Sequence, residues 1–291
     1  MDTNLTQTRI ALVQLCATED VAANLTTSDS LVRQAADQGA EVVLLPEAFA
    51  FIGADRRKRE IVEPIVTDGS AATPILDRCR SLAAELQIEL ILGGHHERGP
   101  EEDGARTPSD EPSKSYNTCV HIGPDGGLRA TYRKIHLFDV KLADGTELNE
   151  SARTLPGSEV VVTRTAFGTL GLTICYDIRF PYLYQALVDR GAIAMSVPSA
   201  FTATTGAAHW HTLLRARAIE TQSYILAPAQ HGAHNARRRS FGHSLIVDPW
   251  GEIVAELAEG DGVVVADIDP SRVRQVRQEL PSLTHRVSLG S

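Results

Sequence analysis

Gly168-Thr-Leu-Gly-Leu-Thr-Ile-Cys-Tyr-Asp-Ile-Arg-Phe-Pro181 is the stretch that decides the fold. A turn-forming Gly168 leads into an apolar run of strand type, Leu170 to Ile174. Cys175 stands where that strand should end. Pro181 opens a helix over Tyr182 to Asp189, because proline is tolerated at the first helical position. Backbone amides at such a junction are free to bind the oxyanion formed when a carbonyl is attacked. A lone cysteine in an apolar run is most often a small inert hydrophobe. The rest of the chain argues otherwise.

Upstream, Val160 to Thr165 pairs with this strand as a hairpin through Phe167-Gly168. Earlier still, Arg9 to Leu15 is a strand and Ala22 to Gln38 a helix closed by Gly39. Glu41-Val-Val-Leu-Leu-Pro46 is a second buried strand with Glu47 directly after it. Pro74 to Leu86 is helical, and Ile88 to Gly94 is the next strand. Arg98 to Lys114, rich in acids and proline, reads as a solvated loop. Tyr116 to Ile122 and Leu128 to Arg133 flank Pro-Asp-Gly-Gly, a hairpin signal, and Lys134 ends the second arm.

Downstream, Ile193 to Val197 is a strand. Ala207 to Gln222 is a helix with Leu213, Leu214, Ala218 and Ile219 inward and Arg215 and Arg217 elsewhere. Strands follow at Tyr224 to Ala229, Ser240 to Val247, Glu252 to Leu257 and Val263 to Ile268, with a tight turn at Asp-Pro-Trp-Gly (248–251). Ser271 to Leu280 is a final helix. No linker or repeat divides the chain. About eleven strands with four or five helices predict one α/β domain with two sheets and helices outside. It spans 1–291, with its core at about 8–270 and a C-terminal helix and tail at 271–291.

The 291 residues are 43% hydrophobic and 22% charged, the balance of a globular protein with an ample core. A net charge of −9 argues against nucleic-acid and anionic-membrane partners. No apolar run approaches the ~20 residues needed to span a bilayer. The first residues lack the pattern of a signal peptide. Four cysteines, at 16, 79, 119 and 175, lie too far apart for a disulfide scaffold. A reduced, cytoplasmic protein is expected.

Glu47, Lys134 and Cys175 each follow an apolar strand and precede a turn. Ligands of α/β sheets bind outside the strands' carboxyl ends, so strands sharing one sheet would bring the three together. As a set they suit attack on an unreactive carbonyl: a thiolate nucleophile, Glu47 as its base, and Lys134 as oxyanion partner. A nearby lysine also lowers the thiol pKa. The ten histidines raise a metal-hydrolase alternative. However, His209 and His211 are two apart on a helix and cannot share a face, and HExxH does not occur. No metal and no cofactor is expected.

YRKIHLFD (132–139), CYDIRFP (175–181), PSAFTATTGAAHW (198–210), LLRARAIETQ (213–222) and GHSLIVDPWG (242–251) resemble the nitrilase superfamily. The resemblance runs from Arg9 to about Arg286 and is strongest to the Nit branch, which includes ω-amidases and deaminated-glutathione amidases. It implies a four-layer α-β-β-α sandwich, usually assembled as a dimer through helices near the cysteine. The family's Glu-Lys-Cys triad falls on Glu47, Lys134 and Cys175, its second glutamate on Glu150, and its oxyanion amide on Tyr176. Phe201 and Thr205 lie in the matching motifs and are expected at the substrate. The family pattern has glutamates where this chain has Tyr182 and His211.

His-Glu-Arg (96–98), Pro-Ser-Ala-Phe (198–201) and Gln-His-Gly-Ala-His (230–234) look more like deaminated-glutathione amidases than ω-amidases. The resemblance therefore implies cleavage of deaminated glutathione to 2-oxoglutarate and cysteinylglycine. An ω-amidase acting on 2-oxoglutaramate or 2-oxosuccinamate is the alternative. Such substrates are small anions, and Arg179, Arg237, Arg238 and Arg239 are available to pair with their carboxylates.

Overall fold

The computed structural model describes residues 6–100, 114–141 and 147–287. Within them the apolar runs become two six-stranded sheets. In the first, β1 (Thr8–Gln14), β2 (Val42–Leu44) and β3 (Glu89–Arg98) run parallel, and β4 (Ser115–Ile122) and β5 (Leu128–Arg133) extend it antiparallel. A small hairpin follows, β6 (Asp139–Lys141) with β7 (Glu147–Asn149).

The second sheet starts with β8 (Val162–Thr165) antiparallel to β9 (Gly168–Leu172). β10 (Ala194–Ser196) and β11 (Tyr224–Ala227) continue parallel to β9. A two-stranded ribbon, β12 (His231–Ala233) with β13 (Arg239–Phe241), comes next. β14 (Ser244–Val247) and β15 (Ile253–Leu257) complete the second sheet. β16 (Gly262–Ile268) returns to pair with β1 in the first.

Among the described residues six α-helices accompany them: α1 (Val21–Asp37), α2 (Asp55–Lys58), α3 (Pro74–Leu86), α4 (Pro181–Asp189), α5 (Ala203–Thr221) and α6 (Pro270–Glu279). Asp20 caps α1, accepting from Ala23 N at 3.0 Å, and prolines open α3, α4 and α6. The short α2 and the ribbon carry no strong sequence period and were not expected. The expected 98–114 loop lies largely outside the described residues.

Side-chain alternation fixes the layers. Ile10 and Leu12 of β1 pack in one core with Leu170 and Leu172 of β9. Their neighbours Ala11 and Val13 face the opposite way, into a second core with Leu31 and Val32 of α1 and Leu76 and Ala83 of α3. On β9 the residue between the two leucines is Gly171. A Cβ there would lie only 3.0 Å from Leu187 of α4, so α4 covers the far face of the second sheet. The order is therefore helix, sheet, sheet, helix: the α-β-β-α sandwich. Both faces of each central strand are buried, which is why those strands read as continuous apolar runs. Each fully buried aliphatic side chain stabilises the core by about 1.5–3 kcal/mol.

Three expectations need correction. The strands ending at Glu47, Lys134 and Cys175 do not share one sheet. β2 and β5 belong to the first and β9 to the second, and the groups meet because the two sheets stack face to face. Ser240 to Val247 is not one strand, because Gly242 and His243 both take positive φ (79° and 59°) and break it into β13 and β14. On α5, Ile219 is 48% exposed and Arg217 is buried, the reverse of the expected placement. The buried stripe is Trp210, Leu214, Arg217, Ala218 and Thr221, the spacing of one helical face.

α5 also starts four residues before the expected Ala207. Thr202 caps it, accepting from Thr205 N at 3.4 Å. Gly206, which reads as a helix breaker, is required inside the helix: a Cβ there would sit 2.3 Å from Cβ of Phe241.

Candidate active site

The chain leaves Ile174 extended and reverses at Cys175, whose φ is 49°. A non-glycine residue in this left-handed region is uncommon and marks a position where function or packing overrides backbone preference. The strain is held by the turn that follows, a 3₁₀ helix over Cys175–Arg179. Cys175 N donates to Pro198 O at 2.9 Å. Asp177, fully buried, accepts from Tyr132 Oη at 2.6 Å, Ile174 N at 2.9 Å and His136 N at 3.1 Å. Arg217 Nε donates to Ile178 O at 2.8 Å, which is why this arginine turns inward. The first amides of a helical turn have no acceptor within it. Cys175 spends its own on Pro198, and Tyr176 N meets no acceptor among the described residues.

Glu47 follows β2 and is bridged to Gly94 of β3. Its Oε1 accepts from Lys134 Nζ at 3.1 Å and from Asn117 Nδ2 at 2.9 Å, and its Oε2 accepts from Ala200 N at 2.9 Å. The Cys175 thiol lies beside the same carboxylate, near enough to shift its ionisation. Lys134, 2% exposed, also donates to Glu150 at 2.8 and 3.1 Å. Glu150 is fixed in turn by Phe138 N at 2.7 Å. Gly94 has a steric reason here: a Cβ would lie 2.7 Å from Asn117 Oδ1 and push that amide off the carboxylates.

These contacts set the charges. Burial favours the neutral form of Glu47, but Lys134 and the thiol hydrogen bond outweigh it and hold its pKa below the ordinary carboxylate value. Burial likewise disfavours the ammonium of Lys134, yet Glu150 and Glu47 together raise its pKa above the usual lysine value. Burial and then Glu47 push the Cys175 thiol up, and Lys134 only partly offsets them. The lysine thus lowers the thiol pKa, as expected, without outweighing burial and Glu47. At rest the cluster is a thiol, an ammonium and two carboxylates, so sulfur can attack only as its proton moves to a base.

The cluster forms one wall of a cavity of about 430 Å³, ample for a small linear molecule. Four cations line it, Lys58, Lys134, Arg153 and Arg238, against three carboxylates, Glu47, Glu147 and Glu150. The carbon-nitrogen hydrolase family pattern matches residues 9–278, nearly the whole chain. The chain belongs to the carbon-nitrogen hydrolase family. It is 43% identical over 279 residues to a Synechocystis protein named deaminated glutathione amidase, covering 95% of this chain and 97% of that one. A human protein of the same name is 43% identical over 279 residues, covering 95% and 81%. The crystal structure of the C. elegans NitFhit protein matches with a TM-score of 0.86 at 39% identity. That match covers 97% of this chain but only 65% of the longer NitFhit chain.

In this carbon-nitrogen hydrolase the expected substrate residues fall into two groups. Phe201 and Thr205 reach the cysteine, lining a small recess beside Cys175 and Tyr176. Arg179 and Arg237 do not line the main cavity. Arg179 stacks over the rings of Tyr176 and Phe201, 5.7 and 5.4 Å from their centroids, and Arg237 is exposed. Arg238, next along the same loop, is the guanidinium that enters. In the sequence Asn117, Asp177 and Arg217 have no role at the site and His96 is marked only within the His-Glu-Arg motif, since their parts come from cross-strand pairing and burial.

The two departures from the family pattern have local partners. Tyr182 Oη hydrogen-bonds His136 Nε2, and the other nitrogen of that ring meets Asp177 Oδ1 at 2.7 Å. His211 and His243 both meet Glu256 Oε1, at 2.9 and 2.5 Å. These three side chains place their potential metal-ligand atoms within 4.8 Å of one another. Charge-assisted hydrogen bonds to one carboxylate oxygen account for that arrangement. It lies away from the residues lining the main cavity.

Proposed function

We propose that this enzyme hydrolyses the amide of deaminated glutathione to 2-oxoglutarate and cysteinylglycine through a thioester on Cys175. The observation that carries the reading is that Cys175 lines the wall of one cation-lined cavity together with the hydrogen-bonded pair Glu47 and Lys134. The relatives' name supports the choice of substrate. Cys175 Sγ attacks the amide carbon while its proton passes to Glu47. Lys134 Nζ and Tyr176 N–H hold the oxyanion. Glu47 returns the proton to the leaving nitrogen as the C–N bond breaks and cysteinylglycine departs. It then takes a proton from water, which attacks the thioester and frees 2-oxoglutarate and the thiol. Glu150 positions Lys134, and Arg238 and Arg153 draw in the substrate carboxylates.

The ω-amidase reading would use the same cluster with ammonia as leaving group. Measuring kcat/KM for deaminated glutathione and 2-oxoglutaramate under one set of conditions separates the two. A clear preference for 2-oxoglutaramate overturns the substrate proposed here.

The working form in this reading is a cytoplasmic homodimer or higher oligomer. Free thiols at all four cysteines support the reducing compartment. Tyr182 on α4 and Ile219 on α5, 60% and 48% exposed, support an interface through the helices near the cysteine. Light scattering on the purified protein tests the assembly, and a monomer at micromolar concentration would refute it.

A further inference from the structure

His96 is at least nine-tenths buried, 8% exposed, and lines the active cavity. Its Nε2 lies 3.2 Å from Phe51 O. A carbonyl oxygen can only accept, so Nε2 carries the hydrogen and Nδ1 presents a lone pair. Burial first, and the nearby Lys58 second, lower its pKa well below the ordinary imidazole value, so this tautomer is the resting form. No donor among the described residues reaches Nδ1. A buried acceptor with no protein partner is costly unless a bound molecule supplies the hydrogen.

Two independent backbone relations place that side chain. His96 lies directly opposite Asn117 in the β3–β4 register, and Asn117 Nδ2 holds Glu47. Gly94, two residues before His96 on the same strand, bridges Glu47 itself. His96 therefore belongs to the Glu47 side of the cavity. In the reaction proposed above, on which this inference rests, Glu47 protonates the leaving nitrogen, so that nitrogen must lie on the same side. The donors a 2-oxo amide offers there are its N–H groups, because its ketone and carboxylates only accept.

We propose that His96 is a specificity-determining residue, its Nδ1 accepting the N–H on the leaving side of the scissile amide and so favouring amides over esters. An ester of the same acyl group places an oxygen lone pair against the imidazole lone pair, with nothing to donate.

The test is kcat/KM for an accepted linear amide and for its ester analogue, in wild type and in His96→Phe, which keeps a ring against Phe51. The amide should lose ten- to a hundredfold more than the ester, the range for stranding one buried partner, and His96→Gln, which keeps an acceptor, should recover part of the difference. Equal losses on both substrates would overturn the proposal, since a structural role moves both alike. Histidine ¹⁵N spectra of Cys175→Ala keep the test open if His96→Phe does not fold. The Nδ1 resonance should shift with the amide and stay with the ester, and a resonance unmoved by the amide also overturns it. Inactivity of the wild type on deaminated glutathione would instead count against the substrate reading, and the amide–ester contrast can be measured on any linear amide the enzyme takes.

Discussion

Lys134 Nζ donates to both carboxylate oxygens of Glu150, at 2.8 and 3.1 Å, and in the proposed reaction the second glutamate aims the ammonium rather than abstracting a proton. Glu150→Gln keeps the shape but replaces one charged acceptor with an amide donor. The lysine loses its strongest charge partner and turns toward Glu47. We expect kcat to fall on the order of 10²-fold, the scale for a misplaced catalytic group, with KM changed less. Activity within twofold of wild type would show that Glu150 does not position the lysine.

The pH dependence follows from opposite shifts on two neighbours. Glu47's folded pKa is depressed, so its contribution to stability and activity is present above the ordinary carboxylate value and is lost as pH falls through the folded one. The Cys175 thiol is raised, so no thiolate forms near neutrality. kcat/KM should hold a plateau across neutral pH with its acid limb below the usual carboxylate range. Alkylation of Cys175 by iodoacetamide should show no ionisation at or below the ordinary thiol pKa of about 8.5. A half-point near 6 or 7 would mean that the enzyme stores a thiolate.

Gly206 lets the sign of a common substitution be inverted. Glycine to alanine inside a helix usually stabilises by about 0.5–1 kcal/mol. Here the added methyl would sit 2.3 Å from Phe241 Cβ and 2.4 Å from its Cγ. Gly206→Ala should therefore destabilise by about 1–3 kcal/mol, read as a lower denaturant midpoint at unchanged slope. A rise in midpoint would mean that the α5–β13 contact is loose.

The reactive residues were legible in the chain because each ends a continuous apolar strand, and the motifs around Lys134 and Cys175 tied them to a family. Their route to one another was not. Continuous apolar runs do not say which sheet a strand joins, so a single sheet and two stacked sheets predict the same pattern. Arg217 and Ile219 exchanged places for a related reason. The arginine turns inward to reach Ile178 O, a partner that exists only once the 3₁₀ turn has formed. Asn117 reads as an ordinary polar residue in an alternating strand. Its part depends on a register that brings it to Glu47 from 70 positions away. His96 stands out in sequence only as the first residue of the His-Glu-Arg motif, because its part depends on an Nδ1 that has no protein partner. The break at Gly242-His243 was hidden by apolar residues on both sides, which sustain a strand pattern across it.

In the proposed reaction the sulfur of Cys175 becomes covalently attached to the acyl half of the substrate. Acid quench of the wild-type enzyme during turnover stops hydrolysis and preserves the thioester, whereas Glu47→Gln would remove the base needed both to form it and to hydrolyse it. Intact-protein and peptide mass spectrometry of the acid-quenched wild-type enzyme, mixed with deaminated glutathione, tests this directly. A 2-oxoglutaryl adduct should appear on the peptide carrying Cys175 and be absent from Cys175→Ala treated in the same way. Turnover by the Cys175→Ala single variant at a substantial fraction of the wild-type rate would contradict it.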